Sequence, residues 1–162
     1  MSFLSLFFFT ACQDSSNEPL PVQEQCEHLD QGGIVGRVRF STGDGMPGPG
    51  NEDGSAGIDS SGLQTTIALY APIESGSVPE IYTEENPEMY GVFDLSEHEP
   101  IVTTESDEQG CFSFDVEPGE YSYFAEHEGG WYCNGFTGYM CHLNYEGGSA
   151  TMGINIDYMV SY

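Results

Sequence analysis

Residues 103–121, TTESDEQGCFSFDVEPGEY, contain the clearest indication of the fold. Within this stretch, residues 111–116 alternate between apolar and polar side chains, so that Phe112, Phe114 and Val116 occupy every second position. A period of two is the period of a β-strand with one buried face. This segment therefore predicts a strand whose phenylalanines point into a core.

Turn-forming residues flank this strand on both sides. Asp107 precedes it, and an aspartate side chain can accept a hydrogen bond from the backbone of its own turn. Gly110 can adopt the positive φ that such a turn needs. Pro118 and Gly119 form the next turn, and a second strand follows from Tyr121. The pattern predicts strands that reverse direction through tight turns.

The same alternation extends along the chain, and no segment has the apolar spacing of an amphipathic helix. Further strands are predicted at residues 34–40, 65–70, 121–125 and 154–158, and residues 89–95 predict a short strand or one turn of helix. Glycine- and proline-rich segments separate these strands. We expect an all-β fold, an antiparallel sandwich of about seven strands.

Two long loops interrupt this regular spacing, at residues 43–63 and 74–100. The first is rich in glycine and carries oxygen ligands of the kind that calcium prefers. The candidate calcium ligands are Asp44, Asn51, Asp53, Ser55 and Asp59. A loop without a metal is the alternative, because the loop lacks the central glycine and the final glutamate of an EF-hand.

The amino terminus indicates export. Residues 1–11 are uncharged and apolar, and they are too short to span a bilayer, as in a signal peptide. The sequence Thr-Ala-Cys that ends at Cys12 resembles a bacterial lipobox, which predicts lipidation of Cys12; a buried cysteine is the alternative. We expect residues 12–31 to form a tether and residues 32–162 to form the folded domain. Gln13 resembles the residue found in lipoproteins of the outer membrane, so we expect the outer membrane or the cell surface as the location.

The chain has five cysteines, and an even number remains once Cys12 is set aside. In an exported chain this favours two disulfides over a zinc site. Residues 134–138, NGFTG, allow the chain to reverse and bring Cys133 opposite Cys141. The expected pairs are Cys133–Cys141 and Cys26–Cys111, with a free Cys111 as the alternative.

The charge excludes one class of partner. The chain has 2 Lys+Arg against 27 Asp+Glu, a formal net charge of −25, and both basic residues are arginines, Arg37 and Arg39. Nucleic-acid binding depends on basic side chains that neutralise phosphates. We therefore expect no nucleic-acid partner and no direct attraction to anionic membrane surfaces.

Residues 32–128 resemble the carboxypeptidase-regulatory-like domains, a family with a transthyretin-like (prealbumin-like) sandwich. Asp107 and Gly110 match the turn of that family, Phe112 and Phe114 match its alternating strand, and Tyr121 matches its final corner. The two long loops depart from the family pattern. The resemblance implies a rigid, non-catalytic module for display, adhesion or accessory binding.

We therefore predict a lipid-anchored, non-enzymatic module that binds a protein or polysaccharide partner. The candidate binding patch consists of Trp131, Tyr132, Phe136 and Tyr139, aromatic residues interleaved with glycines. The alternative for these side chains is that they cover one end of the core. The alternative function is a metal-dependent enzyme on a transthyretin-like scaffold, similar to intradiol dioxygenases, which hold iron with two tyrosines and two histidines.

Overall fold

The computed structural model describes residues 22–29, 32–44, 58–81 and 91–161. These residues form one helical turn and twelve strands. The helix α1 spans Val22–Gln25, and the strands are β1 Gly33–Asp44, β2 Ile58–Gly62, β3 Thr66–Tyr70, β4 Val92–Phe93, β5 Val102–Glu105, β6 Cys111–Phe114, β7 Gly119–His127, β8 Gly130–Tyr132, β9 Phe136–Thr137, β10 Tyr139–Met140, β11 His142–Tyr145 and β12 Ser149–Ser161. The predicted all-β fold is confirmed. The strand count exceeds seven because four strands have only two or three residues, too short to show alternation, and because β2 lies within the segment expected to be a loop.

The first sheet is built around β1. One edge of β1 pairs with β12 in parallel, from Gly33 opposite Ser149 to Asp44 opposite Ser161. Its other edge pairs antiparallel with β6 along residues 34–37 and with β2 along residues 39–43.

The parallel pair corrects the expectation of a purely antiparallel sandwich. The chain enters β12 from β11, which belongs to the other sheet, through Gly147 and Gly148, both at positive φ. A tight hairpin forces two neighbouring strands to run antiparallel, whereas a crossing between sheets imposes no such direction.

The second sheet has the order β4-β8-β7-β3-β5, and β11 pairs with the amino-terminal half of β7. All of its pairings are antiparallel. Neither sheet closes on itself. The main core lies between the two sheets and contains the residues that alternation predicted. Its fully buried members include Ile34, Val38, Ile67, Leu69 and Phe112.

Each sheet also carries a smaller apolar cluster on its outer face. On the first sheet, Cys26, Val35 and Cys111 are buried together beneath Val22 and Leu29; we call this cluster the helix cover. On the second sheet, the buried residues of the hairpin cover are Ala68, Tyr70, Ile73, Val78, Phe93, Leu95, Phe124, Cys133, Met140 and Cys141.

The helix cover changes the expected extent of the tether. Residues 22–29 pack on the first sheet, with Cys26 0% exposed. The amide of Leu29 donates to the carbonyl of Cys26 at 3.1 Å, so the turn after α1 is ordered by its own backbone. The folded body therefore begins before residue 32, because burial of Val22 and Leu29 anchors this segment.

The turn before β6 has the geometry that its sequence predicts. The Asp107 carboxylate accepts hydrogen bonds from the amides of Gln109 at 2.8 Å and Cys111 at 2.9 Å. Gly110 has φ +81°, and a Cβ at this position would collide with the carbonyl oxygen of Val38. A glycine is therefore required here for conformation and for space.

The first long loop is shorter than predicted. Residues 58–62 form β2, and they pair with residues 39–43 of β1. Asp59 therefore lies within a strand opposite Thr42, and Asp44 ends β1 opposite Ser161. This placement corrects the expectation that both residues belong to the loop, because Asp44 extends β1 along β12 and Asp59 pairs with β1. Residues 45–57 lie outside the described residues.

Candidate functional site

The candidate site is a hairpin closed by a disulfide. Cys133 and Cys141 are bonded, with their Cα atoms 5.9 Å apart, and β9 and β10 lie between them. Gly138 and Cys141 have positive φ, and the amide of Cys141 donates to the carbonyl of Gly135 at 2.6 Å. These features reverse the chain within a few residues, as the glycines of 134–138 suggested.

The hairpin is also fixed from outside. Residues 73–75, which follow β3, lie alongside β10: the amide of Ser75 donates to Gly138 at 3.0 Å, and the amide of Met140 donates to Ile73 at 2.8 Å. Glu74 and Tyr139 form an antiparallel bridge between these bonds. The backbone under Tyr139 is thus held by a covalent link and by a neighbouring segment.

The structure does not bring the four predicted aromatic residues into one patch. Tyr132 is 2% exposed in the core between the sheets, and its hydroxyl lies 3.0 Å from a carboxylate oxygen of Asp157. Burial, and then the Asp157 charge, raise the pKa of Tyr132. The prediction that Tyr132 belongs to a surface patch is therefore wrong. It follows Trp131 in β8, and adjacent residues of a strand point to opposite faces.

Trp131 and Phe136 border the hairpin cover. Trp131 is half-buried and meets Tyr70 edge to face, with ring centroids 5.9 Å apart. Phe136 is 52% exposed, and its ring lies 5.9 Å from that of Phe93. Phe93 pairs with Trp131 across β4 and β8. We call Phe93, Trp131 and Phe136 the apolar edge, because their rings join buried apolar surface to solvent.

Tyr139 faces the other way. Met140 pairs with Phe136, whereas Tyr139 pairs with Thr137, so Phe136 and Tyr139 lie on opposite faces of the hairpin. The Tyr139 ring is 37% exposed. It shares its face with Glu74, its partner in the bridge.

The side chains that begin with Glu74 and Tyr139 form a row that continues onto β11. The ring of His142 lies 5.3 Å from that of Tyr139, and Nε2 of His142 lies 3.9 Å from a carboxylate oxygen of Glu120. The Glu120 side chain is 59% exposed. We call Glu74, Tyr139, His142 and Glu120 the tyrosine face.

A second group of polar residues lies beside the other disulfide. Cys26 is bonded to Cys111, with their Cα atoms 5.6 Å apart. Nε2 of His28 lies 2.7 Å from the Asp107 carboxylate, which links the segment after α1 to the turn before β6. The two disulfides join the same cysteines that the sequence analysis paired.

The polar contacts set the ionisation of Asp107. Partial burial would raise its pKa, but the amide of Cys111, the His28 side chain and the amide of Gln109 outweigh that effect, so the pKa is lowered. The carboxylate is thus held in its charged form, which serves as the acceptor of the turn.

His28, Asp107 and Cys111 are also the one group of three potential metal ligands that lies together among the described residues. The Cys111 sulfur is bonded to Cys26, so it is no thiolate, and only two ligands remain. A zinc site uses three or four protein ligands. The four histidines do not converge: His28 follows α1, His98 follows β4, His127 is on β7 and His142 is on β11.

A cleft of about 420 Å³ opens next to this group, lined by Gln25, Arg37, Gly62, Glu108 and Gln109. The guanidinium of Arg37 donates to the carbonyl of Gln109 at 2.9 Å and to the Gln25 side chain. Burial, and then the neighbouring Arg39, lower the pKa of Arg37. The hydrogen bond from Arg37 on β1 to Gln25 on α1 helps to hold α1 on the sheet.

Several predicted site residues fall outside the described residues. These are the lipidation site Cys12 and the calcium candidates Asn51, Asp53 and Ser55. The calcium and lipidation hypotheses therefore stay predictions.

Sequence reasoning missed Glu74, Phe93, Glu120 and His142 as partners of the hairpin. They come from separate parts of the chain, and only the fold brings Glu74, Phe93 and His142 to the hairpin and Glu120 to His142. The sequence carried no signal for the separation of Phe136 from Tyr139, because a two-residue hairpin loop would make them direct partners on one face. The pairing of Thr137 with Tyr139 around Gly138 is what places them on opposite faces.

Among the residues that the structure describes, no helix has the length and apolar character needed to cross a membrane. Comparison with protein-family models, with curated proteins and with solved structures gives no match.

Proposed function

We propose that the protein is a lipid-anchored, non-enzymatic β-sandwich module that binds a partner at the outer membrane or cell surface through its hairpin. The observation that carries the proposal is the 52% exposure of Phe136 on a hairpin fixed by a disulfide. A large apolar ring held rigidly in solvent loses little conformational freedom on binding. Aromatic residues of this kind are enriched among the side chains that dominate binding energy.

The apolar edge extends the contact that Phe136 can offer. Phe93 lies beneath the ring of Phe136, and Trp131 continues the apolar surface on the neighbouring strand. A partner that covers Phe136 would therefore contact a ring backed by the buried Phe93, with the half-buried Trp131 on the neighbouring strand. The finer fold assignment, a transthyretin-like sandwich of the carboxypeptidase-regulatory-like family, is part of this proposal, and the Asp107 turn and the Tyr121 corner support it.

The binding proposal is tested by photo-crosslinking in native cells. The full chain carries p-benzoylphenylalanine at position 136 or, as a control, at position 101, because Ile101 is 56% exposed on a different element. We expect one discrete adduct from position 136 and none of the same mass from position 101. Equal adducts from both positions, or no adduct from position 136, would contradict binding through the hairpin.

The anchoring proposal is tested separately. If Cys12 carries two or more acyl chains, the protein partitions with membranes, because a single chain gives only marginal binding. The Cys12→Ser variant should then be released into the soluble fraction. The same distribution for both forms would contradict lipid anchoring without affecting the binding proposal.

A further inference from the structure

We propose that the tyrosine face recognises an arginine or lysine side chain of a protein partner. The inference rests on the proposed function and names the chemistry of a contact on the face of the hairpin opposite Phe136. Four exposed groups form the row: a carboxylate, a phenol ring, an imidazole and a second carboxylate, contributed by Glu74, Tyr139, His142 and Glu120.

The ring and the carboxylates favour the same kind of ligand. The face of a tyrosine ring attracts a cation within about 6 Å of its centroid. Glu74 is the cross-strand partner of Tyr139, at a spacing where two side chains reach one common group. A guanidinium or ammonium over the ring can therefore also contact a carboxylate.

The chain supplies no arginine or lysine of its own to this face. Its two basic residues, Arg37 and Arg39, both lie on β1 in the other sheet, and Arg37 is bonded to Gln25 and Gln109. The His142 imidazole, 3.9 Å from Glu120, is the one basic group of the chain on this face, and an arginine or lysine beside Glu74 would have to come from a partner.

The net charge of −25 selects against other partners. An anionic glycan would be repelled, and a neutral glycan could stack on the ring but would gain nothing from the long-range field. A basic protein surface gains from both the ring and the field, and the field also accelerates association. The observations therefore favour a basic protein segment.

The test measures binding of two synthetic peptides by amide shifts in NMR, with the protein purified from its own envelope in mild detergent. The probes are acetyl-Gly-Arg-Gly-Arg-Gly-amide and its citrulline analogue, which has nearly the same shape without the charge. We expect the arginine peptide to shift amides of residues 73–75, 120–122 and 136–142, and the citrulline peptide to bind at least about fivefold more weakly.

Matched variants separate this face from the general attraction of an acidic protein. Tyr139→Leu removes the ring and keeps every charge, and we expect binding to weaken about two- to fivefold. Glu74→Gln keeps the backbone of the bridge and should weaken binding by a similar factor. Glu108→Gln is the control, because Glu108 is exposed in the turn between β5 and β6 and carries the same charge.

The inference would be overturned if Glu108→Gln weakened binding of the arginine peptide as much as Glu74→Gln does. It would also be overturned if the Tyr139→Leu variant bound the arginine peptide as tightly as the unmodified protein. Larger shifts at residues 136–142 with a neutral cello-oligosaccharide would overturn it as well, because they would indicate a glycan. The two proposals can fail independently. An adduct at position 136 without arginine-dependent shifts supports the binding module and contradicts the tyrosine face. Localised arginine-dependent shifts without an adduct support the tyrosine face and contradict binding through Phe136.

Discussion

Removal of the Cys26–Cys111 disulfide should cost more stability than removal of the other bridge. The perturbation is the double variant Cys26→Ala, Cys111→Ala, and the matched control is Cys133→Ala, Cys141→Ala. The first bridge has a sequence separation of 85 residues and the second a separation of 8. A bridge that closes a longer loop removes more conformational entropy from the unfolded chain.

The magnitude follows from this difference in loop length. The chain-entropy relation gives about 4.5 kcal/mol for the long bridge and about 2.5 kcal/mol for the short one. For a chain of this size, each kcal/mol lowers the melting temperature by roughly 2–4 °C. We therefore expect a decrease of about 9–18 °C for the first double variant and about 5–10 °C for the control.

Calorimetry measures both decreases, and hydrogen exchange locates their cause. In the first variant, the amides of residues 26 and 29, which donate to the carbonyls of residues 22 and 26, should exchange faster, while the hairpin keeps its protection. A smaller decrease than in the control would refute the loop-length reasoning. Non-reducing peptide mapping of the unmodified protein checks the premise: a peptide that links Cys26 to Cys133 or Cys141 would contradict the pairing.

Four further predictions concern the turns and the charge. Gly110→Ala should lower the free energy of unfolding in urea by about 2 kcal/mol or more, because a strained φ adds to a collision with a β1 carbonyl. Gly129→Ala has the same φ and open space around it, so it should lower that free energy by only about 1 kcal/mol. Equal losses in the two variants would contradict the role of the collision. Tyr121→Phe should lose about 1 kcal/mol with the hydrogen bond from its hydroxyl to the Glu117 carbonyl at 2.7 Å, and no change would contradict that contribution. Because the pKa of Asp107 is lowered in the folded protein, its charge stabilises the fold above the unfolded-state pKa of about 3.9. The difference in unfolding free energy between the unmodified protein and Asp107→Asn should therefore shrink as the pH falls through the folded-state pKa. A difference that stays constant with pH would refute this prediction. With a net charge of −25, the melting temperature should rise from about 10 mM to about 500 mM salt, as the Debye length falls from ~30 Å to below ~8 Å, and a flat profile would mean that the charges are too dispersed to matter.

The parts of the fold that the sequence predicted well are local. The alternation of Phe112 and Phe114 and the turn from Asp107 to Gly110 depend on residues a few positions apart, and the structure has both. The parallel pairing of β1 with β12 joins strands more than a hundred residues apart, and no local pattern encodes which edge of β1 receives the last strand. Such a pairing depends on the packing of the whole chain.

The candidate site was predictable in part for the same reason. Of the four aromatic residues predicted to form one patch, Phe136 and Tyr139 are exposed, Trp131 is half-buried and Tyr132 is buried, because nearness in sequence is not nearness on one surface. Alternation within β8 sends Tyr132 into the core, and pairing within the hairpin separates Phe136 from Tyr139. The carboxylates that complete the tyrosine face come from other elements, and only the tertiary structure places them there.

The two disulfides have a shared structural role. Both lie outside the main core: Cys26–Cys111 belongs to the helix cover, and Cys133–Cys141 belongs to the hairpin cover. Of the described residues, the helix cover buries three completely, and so small an apolar cluster offsets little of the entropy lost on ordering the segment on top of it. A covalent bond removes much of that entropy from the unfolded state.

Among the described residues, the main core between the sheets contains no cysteine, so neither bond is part of its packing. Reduction should therefore loosen residues 22–29 and 133–141 under conditions where the strands of the core remain protected from exchange. The segment that carries Phe136 and Tyr139 would lose its fixed geometry while the sandwich persists. On this argument, partner binding through the hairpin is more sensitive to reductant than the fold itself.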